Sequence, residues 1–194
     1  HAQVVLVKLS MYAAGVLLLL AVPVAGQGFG TAVAAGEVEV LVGEALNDRS
    51  PGYVYVYRPD RGGEWVEAQR IAASDGAAGD RFGRFLAVDG GNALIGATVW
   101  NETTGAVYAF ERGRNGEWRE VQRFSPSDLA PSDAFGRVVS RDGDVAAVAT
   151  WGHRNNTGAV YILRRGRDGR WSQEAKVMAS EATRRDCGDP LRWW

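Results

Sequence analysis

The residues best suited to chemistry in this chain are four aspartates in two pairs, Asp75 with Asp80 and Asp128 with Asp133, the second pair lying 53 residues after the first. Two carboxyl groups at a fixed short separation are the equipment of glycoside hydrolysis, one acting as acid and the other as base or nucleophile. Aspartates set beside glycine and serine have a commoner use, however, which is to close side-chain-to-backbone turns. A second group comprises Trp100, Asn101, Trp151 and His153, with Asn155 and Asn156 beside them. Large amphipathic rings among amides suit recognition of a protein or glycan surface. Nucleophilic and metal chemistry find little to work with. His153 is the only histidine after His1, no Gly-x-Ser-x-Gly turn occurs, and no histidine pair has zinc spacing. The single cysteine, Cys187, excludes an intrachain disulfide, and no phosphate-cradling loop ending in Gly-Lys-Ser/Thr is present. A non-enzymatic chain with neither cofactor nor metal is the expectation.

Charge narrows the partners. With 22 basic and 23 acidic residues in 194, the formal net charge is -1, which supports neither a nucleic-acid groove nor a polybasic membrane patch. The first 26 residues differ from the rest: one charge, Lys8, then an apolar run from Met11 to Val22, then Ala25 and Gly26. This is the layout of a secretory signal peptide. The apolar stretch from Val4 to Ala25 also reaches the roughly 20 residues that an N-terminal membrane anchor needs. Either reading places the remainder outside the cytoplasm, secreted or at the cell surface.

The elements that hold these side chains are repeated. Phe29-Gly30, Phe82-Gly83 and Phe135-Gly136 recur every 53 residues without a gap, and Tyr55, Tyr108 and Tyr161 keep the same step, as do Trp65, Trp118 and Trp171. A constant period of this length means that one supersecondary unit is stacked several times. Within the middle unit, Phe82 to Val88 and Ala93 to Thr98 flank the turn Asp89-Gly90-Gly91-Asn92, predicting a hairpin. Ala106 to Arg112 alternates as a third strand, and Glu117 to Phe124 as a half-exposed fourth. No helical stretch is expected in between.

Four antiparallel strands per unit predict an all-β fold of three four-stranded antiparallel blades, a partial β-propeller. Each Phe is expected to wedge between blades, each Gly to allow close backbone approach, and each Trp to cover the outer edge while its N–H finds a partner. Ser74 to Gly83, Ala87 to Ala97, Gly105 to Phe110 and Gly116 to Trp118 then resemble, in order, the hallmark segments of the FG-GAP repeat, the blade of integrin-α-type propellers, in a short form. The resemblance covers residues 29 to 187 and implies a binding or adhesion module. It departs from the family pattern at Val42-Gly43-Glu44, Ile95-Gly96-Ala97 and Val148-Ala149-Thr150, where the Gly-Ala-Pro segment is worn away. The turns Asp89 to Asn92 and Arg141 to Asp144 offer too few oxygens for the calcium loop of integrin-type blades.

The expected organisation is thus a signal peptide or anchor over 1–26, repeats over 27–187 (29–81, 82–134 and 135–187) and an irregular tail over 188–194. Cys187-Gly188 stands about where a fourth Phe-Gly falls due, and three blades are fewer than the four to eight that close a propeller. Further blades or self-association are needed for closure. Because strand direction alternates, the inter-blade acids and the strand 2–3 loops share one face, so a protein or glycan ligand is expected there. The alternatives are a structural piece of a larger secreted or surface protein and, least favoured, a hydrolase using the inter-blade carboxylates. Asn101-Glu102-Thr103 and Asn155-Asn156-Thr157 are also glycosylation sequons.

Overall fold

The computed structural model describes residues 28–179. The expectations for residues 1–26 and 188–194 lie outside the described residues. Twelve strands form three separate four-stranded antiparallel sheets, each in simple meander order. The first holds β1 (Phe29–Ala35), β2 (Val40–Glu44), β3 (Tyr53–Pro59) and β4 (Trp65–Ile71). The second holds β5 (Phe82–Asp89), β6 (Asn92–Ala97), β7 (Ala106–Arg112) and β8 (Trp118–Phe124). The third holds β9 (Val138–Asp142), β10 (Val145–Thr150), β11 (Ala159–Arg165) and β12 (Trp171–Val177). The short turn before β6 brings Asp89 opposite Asn92, as the Gly90-Gly91 pair predicts.

The sheets stack through their first strands: β5 lies against β1, β2 and β3, and β9 against β5 and β6. This is the packing of propeller blades, and the described residues form three of them. The core accordingly lies between sheets. Phe82 is fully buried with Leu41, Val54 and Val56 of the first blade and Tyr108 and Phe110 of its own. Phe135 repeats the arrangement with Leu94, Val107, Val148 and Tyr161. Phe82 meets Tyr108 edge to face at 5.5 Å and Phe135 meets Tyr161 likewise at 5.3 Å. Phe29 makes the same contact with Tyr55, yet it is half exposed because no described sheet precedes the first blade.

The glycine of each Phe-Gly pair has a specific task. Pairing slips between Phe29 and Ala32 in β1 and between Phe82 and Phe85 in β5, a bulge that needs a left-handed residue. Gly30, Gly83 and Gly136 supply it at φ 86°, 86° and 87°. A Cβ on Gly83 would also crowd the Tyr53 carbonyl oxygen at 2.7 Å, whereas one on Gly30 would meet open space.

Two expectations are corrected. The loops after β6 and β10 each wind one short turn, α1 (Trp100–Thr103) and α2 (His153–Asn156), where no helical stretch was expected. In α1 the turn is irregular, with Asn101 and Glu102 at positive φ. The tryptophans that open the outer strands also differ among themselves. Trp65 is exposed, whereas Trp118 and Trp171 are buried, and the Trp118 indole N–H finds no hydrogen-bond partner among the described residues. What fixes these strands instead is a reciprocal amide clamp. Gln69 accepts from the Trp118 backbone N–H and donates to its carbonyl, both at 2.8 Å, and Gln122 does the same for Trp171 at 2.7 and 2.8 Å.

Candidate functional site

The loop face gathers the linkers between blades and the segments joining second to third strands. Eight non-glycine residues among those described have a left-handed backbone: Arg81, Asn101, Glu102, Thr103, Ser132, Ala134, Arg154 and Asn156. All eight belong to this face. The hairpin turns at the opposite face use glycine wherever φ is positive, so the costlier conformations are concentrated at one end of the scaffold.

The four aspartates hold the face together. Asp75 accepts from the Tyr108 hydroxyl at 2.7 Å and pairs with Arg123, and Asp128 accepts from Tyr161 at 2.9 Å and pairs with Lys176 at 2.6 Å. Asp80 and Asp133 are buried, and each closes its own turn by accepting from the backbone N–H of Ala77 (2.7 Å) and Ala130 (3.0 Å) respectively. Tyr55 has no such aspartate and donates to Glu44 of its own blade at 2.5 Å. None of the four carboxyl groups is left as a free acid or base in a shared pocket. Among the described residues no group of three or more histidine, cysteine, aspartate or glutamate side chains is placed to hold a metal ion.

Charge follows from these contacts. Burial raises the Asp75 carboxyl, but hydrogen bonds from Tyr108 and Arg123 outweigh it and hold the group below its ordinary value. The Lys176 hydrogen bond holds Asp128 below its ordinary value, with a further contribution from Tyr161 that burial opposes. Burial, then the neighbouring carboxylate, pushes the Tyr108 and Tyr161 hydroxyls far above the phenol range. A carboxyl depressed in the folded state stabilises fully above its unfolded pKa of about 4 and loses that contribution as pH falls through its folded value. Asp75→Asn and Asp128→Asn together are therefore expected to flatten the decline of stability between roughly pH 5 and pH 2, read from urea midpoints. An unchanged slope would mean that neither aspartate is linked to folding. Both side chains are more than a third exposed, which keeps the effect modest.

The aromatic residues divide. Trp100 is half-buried against the core, and the Arg123 guanidinium lies 4.5 Å from its ring centre. Trp151 is 52% exposed with the Arg137 guanidinium 3.5 Å over its ring. It borders an open depression of about 330 Å³ lined also by Val138, Ala149, Asn156 and Thr157. Asn101 is exposed beside Trp100. His153, grouped in sequence with these recognition residues, is not presented to solvent beside them. It is buried, with Nδ1 at 2.9 Å from Asp133 and Nε2 at 2.7 Å from the Lys176 ammonium. Because an ammonium can only donate, Nε2 is the acceptor and Nδ1 carries the proton donated to Asp133. His153 thus stands 53 residues after Trp100 and fills the equivalent place, with Lys176 for Arg123. The structure brings Trp100 to Asp75 through Arg123, and His153 to Asp128 and Asp133, but it does not pair Trp100 with Trp151, which occupies the register of Thr98.

Arg123, Lys176 and Arg137 are the site residues that sequence reasoning passed over. A signal existed for two of them: Arg70, Arg123 and Lys176 are all cationic and keep the 53-residue step. Each lies over an aromatic ring, Arg70 over Tyr53 at 5.0 Å and Lys176 over Tyr161 at 4.7 Å. On the opposite face Arg58, Arg112, Arg164 and Arg165 are engaged in ion pairs, while Arg61, Arg114, Arg167 and Arg170 are exposed. Arg58 and Arg112 clamp the buried Glu39 at 2.7 and 3.1 Å, and Arg165 pairs with Glu111.

The FG-GAP repeat profile matches residues 65–110 and again 118–163, two copies offset by the same 53 residues. Each match opens on the outer strand of one blade and runs through the third strand of the next, so it spans an inter-blade junction. No curated protein matches the chain. Profile, period and sheet packing agree, and the chain is an FG-GAP repeat protein.

Proposed function

We propose that the chain is a non-enzymatic recognition module of an extracellular or surface protein, binding a protein or glycan ligand on its loop face. FG-GAP repeats are typical of extracellular and surface proteins, and a signal peptide or anchor over residues 1–26 accords with that setting. The observation that carries the reading is the confinement of all eight left-handed non-glycine residues to one face, the face that also presents the exposed ring of Trp151. Strained backbone of this kind persists where the aim of side chains matters. The Arg137–Trp151 pair offers a flat cation and an aromatic plane together on the loop face, and arginine and tryptophan are enriched at the centres of binding surfaces. Against a hydrolase stands the engagement of Asp75, Asp80, Asp128 and Asp133, the inter-blade aspartates among the described residues, by a tyrosine, a cation or a backbone N–H.

Trp151→Ala tests the reading most cleanly, because the half-exposed ring contributes little to folding, whereas Trp100→Ala also opens the core. Retention on glycan and matrix-protein arrays is expected to fall at least about tenfold, a loss of roughly 1.4 kcal/mol, with an unchanged melting temperature. Equal retention by the variant and the parent would sink the loop-face proposal. Absence of retention on any array surface would favour the scaffold reading instead.

A further inference from the structure

The two outer sheets carry complementary halves of the junction that the chain uses twice internally. At each internal junction the Phe backbone N–H donates to a carbonyl of the preceding blade, Phe82 to Pro51 at 2.8 Å and Phe135 to Thr104 at 2.9 Å. The backbone of Phe82 fits over Gly52 and that of Phe135 over Gly105, where a Cβ would lie under 3.0 Å from the incoming chain. One step further, Thr157 and Gly158 occupy these places in the third blade, and among the described residues no sheet lies against them. They border two adjoining depressions of about 330 and 380 Å³, floored by Val138, Val160 and Val177. At the other end the Phe-Gly half is bare: Phe29 is 50% and Val33 63% exposed.

We infer that this face of the third blade receives Phe29-Gly30 of a second copy of the chain, head to tail. Two copies joined at both ends bring six sheets into one ring, within the four to eight that close a propeller, and a twofold axis relates the two junctions. The socket differs from its internal templates at two points. Ala149 stands where Gly43 and Gly96 admit the incoming Gly backbone, and Ala175 stands where Gln69 and Gln122 form the amide clamp. The junction between copies is therefore looser than the internal ones, and the pairing is reversible and concentration-dependent.

Sedimentation velocity of the 194-residue chain, from nanomolar concentration to its solubility limit, tests this inference. The expected result is a monomer–dimer equilibrium that Phe29→Asp or Val138→Asp abolishes while the circular dichroism of the β-sheets is retained. An equimolar mixture of these two variants regains one junction, because one supplies the intact socket and the other the intact Phe29. Ala149→Gly tightens the dimer by at least about tenfold. A monomer at every concentration would overturn the inference, as would a dimer indifferent to Phe29→Asp or assemblies that grow past the dimer.

Discussion

Gly96→Ala is expected to cost the junction of the second and third blades at least about 3 kcal/mol, although it adds a single methyl group to the interior of a strand. Gly96 lies in β6 opposite Phe85 and Val107, where an alanine would ordinarily favour the strand. A Cβ built there, however, falls under 3.0 Å from the Gly136 carbonyl oxygen, and that oxygen belongs to backbone and not to a flexible side chain. Gly136 is itself tied in place. It holds a left-handed φ of 87°, and its own Cβ position is blocked by the Ala106 carbonyl at 2.8 Å. The third blade would have to move outward as a body, parting Phe135 from Leu94 and Val107. The expected cost is at least about 3 kcal/mol, the upper range of overpacking, against a total stability of roughly 5–15 kcal/mol. Gly91→Ala is the control, since its Cβ would meet Arg112 at an ordinary 3.8 Å, and it is expected to cost under about 1 kcal/mol. Equal urea midpoints for the two variants would refute this account of the junction.

This contrast shows where the sequence was legible. Phe, Gly and Tyr at a constant step identify strands, sheets and the wedge residues because each repeats the same packing job at both internal junctions. The inner glycines Gly43 and Gly96 also keep the step, but a glycine inside a strand says only that something comes near, not that a neighbouring carbonyl does. The loop face was harder to read. Trp100 and Trp151 look alike in sequence, yet the former is register-equivalent to His153, and only the fold shows that a ring and a cation from the fourth strand share one place in both blades. His153 was misread for a physical reason: a single histidine in a polar loop carries no mark of burial, since its partners Asp133 and Lys176 lie 20 and 23 residues away. The turns α1 and α2 stayed hidden because their residues, Trp-Asn-Glu-Thr and His-Arg-Asn-Asn, include poor helix formers and left-handed conformations, which in α1 lie under the linker that leads into the third blade. Ser132 and Ala134 of that linker donate to the carbonyls of Glu102 and Thr103, so the loop takes its shape from the next blade.

The second large effect separates identical residues by position. Phe135→Ala is expected to cost about 3–5 kcal/mol, because the ring is fully buried between the second and third blades and neither sheet can close the cavity without shifting the other. Phe82→Ala should behave alike, as its ring fills the equivalent space between Val54 and Tyr108. Phe29→Ala, made in the same motif and measured at high dilution, is expected to cost under about 1.5 kcal/mol. Its ring is 50% exposed and meets Tyr55 and Tyr57 of its own blade edge to face at 5.5 and 6.3 Å. The ranking rests on geometry, since the side chain and the glycine that follows it are the same in all three. Raising the protein concentration should widen the deficit of Phe29→Ala relative to the parent chain, because a dimer that buries Phe29 adds stability by mass action that the variant cannot gain. Denaturation midpoints that place Phe29→Ala level with Phe135→Ala at high dilution would mean that the ring is covered within a single chain, and the first blade would then need a partner from elsewhere in the same molecule.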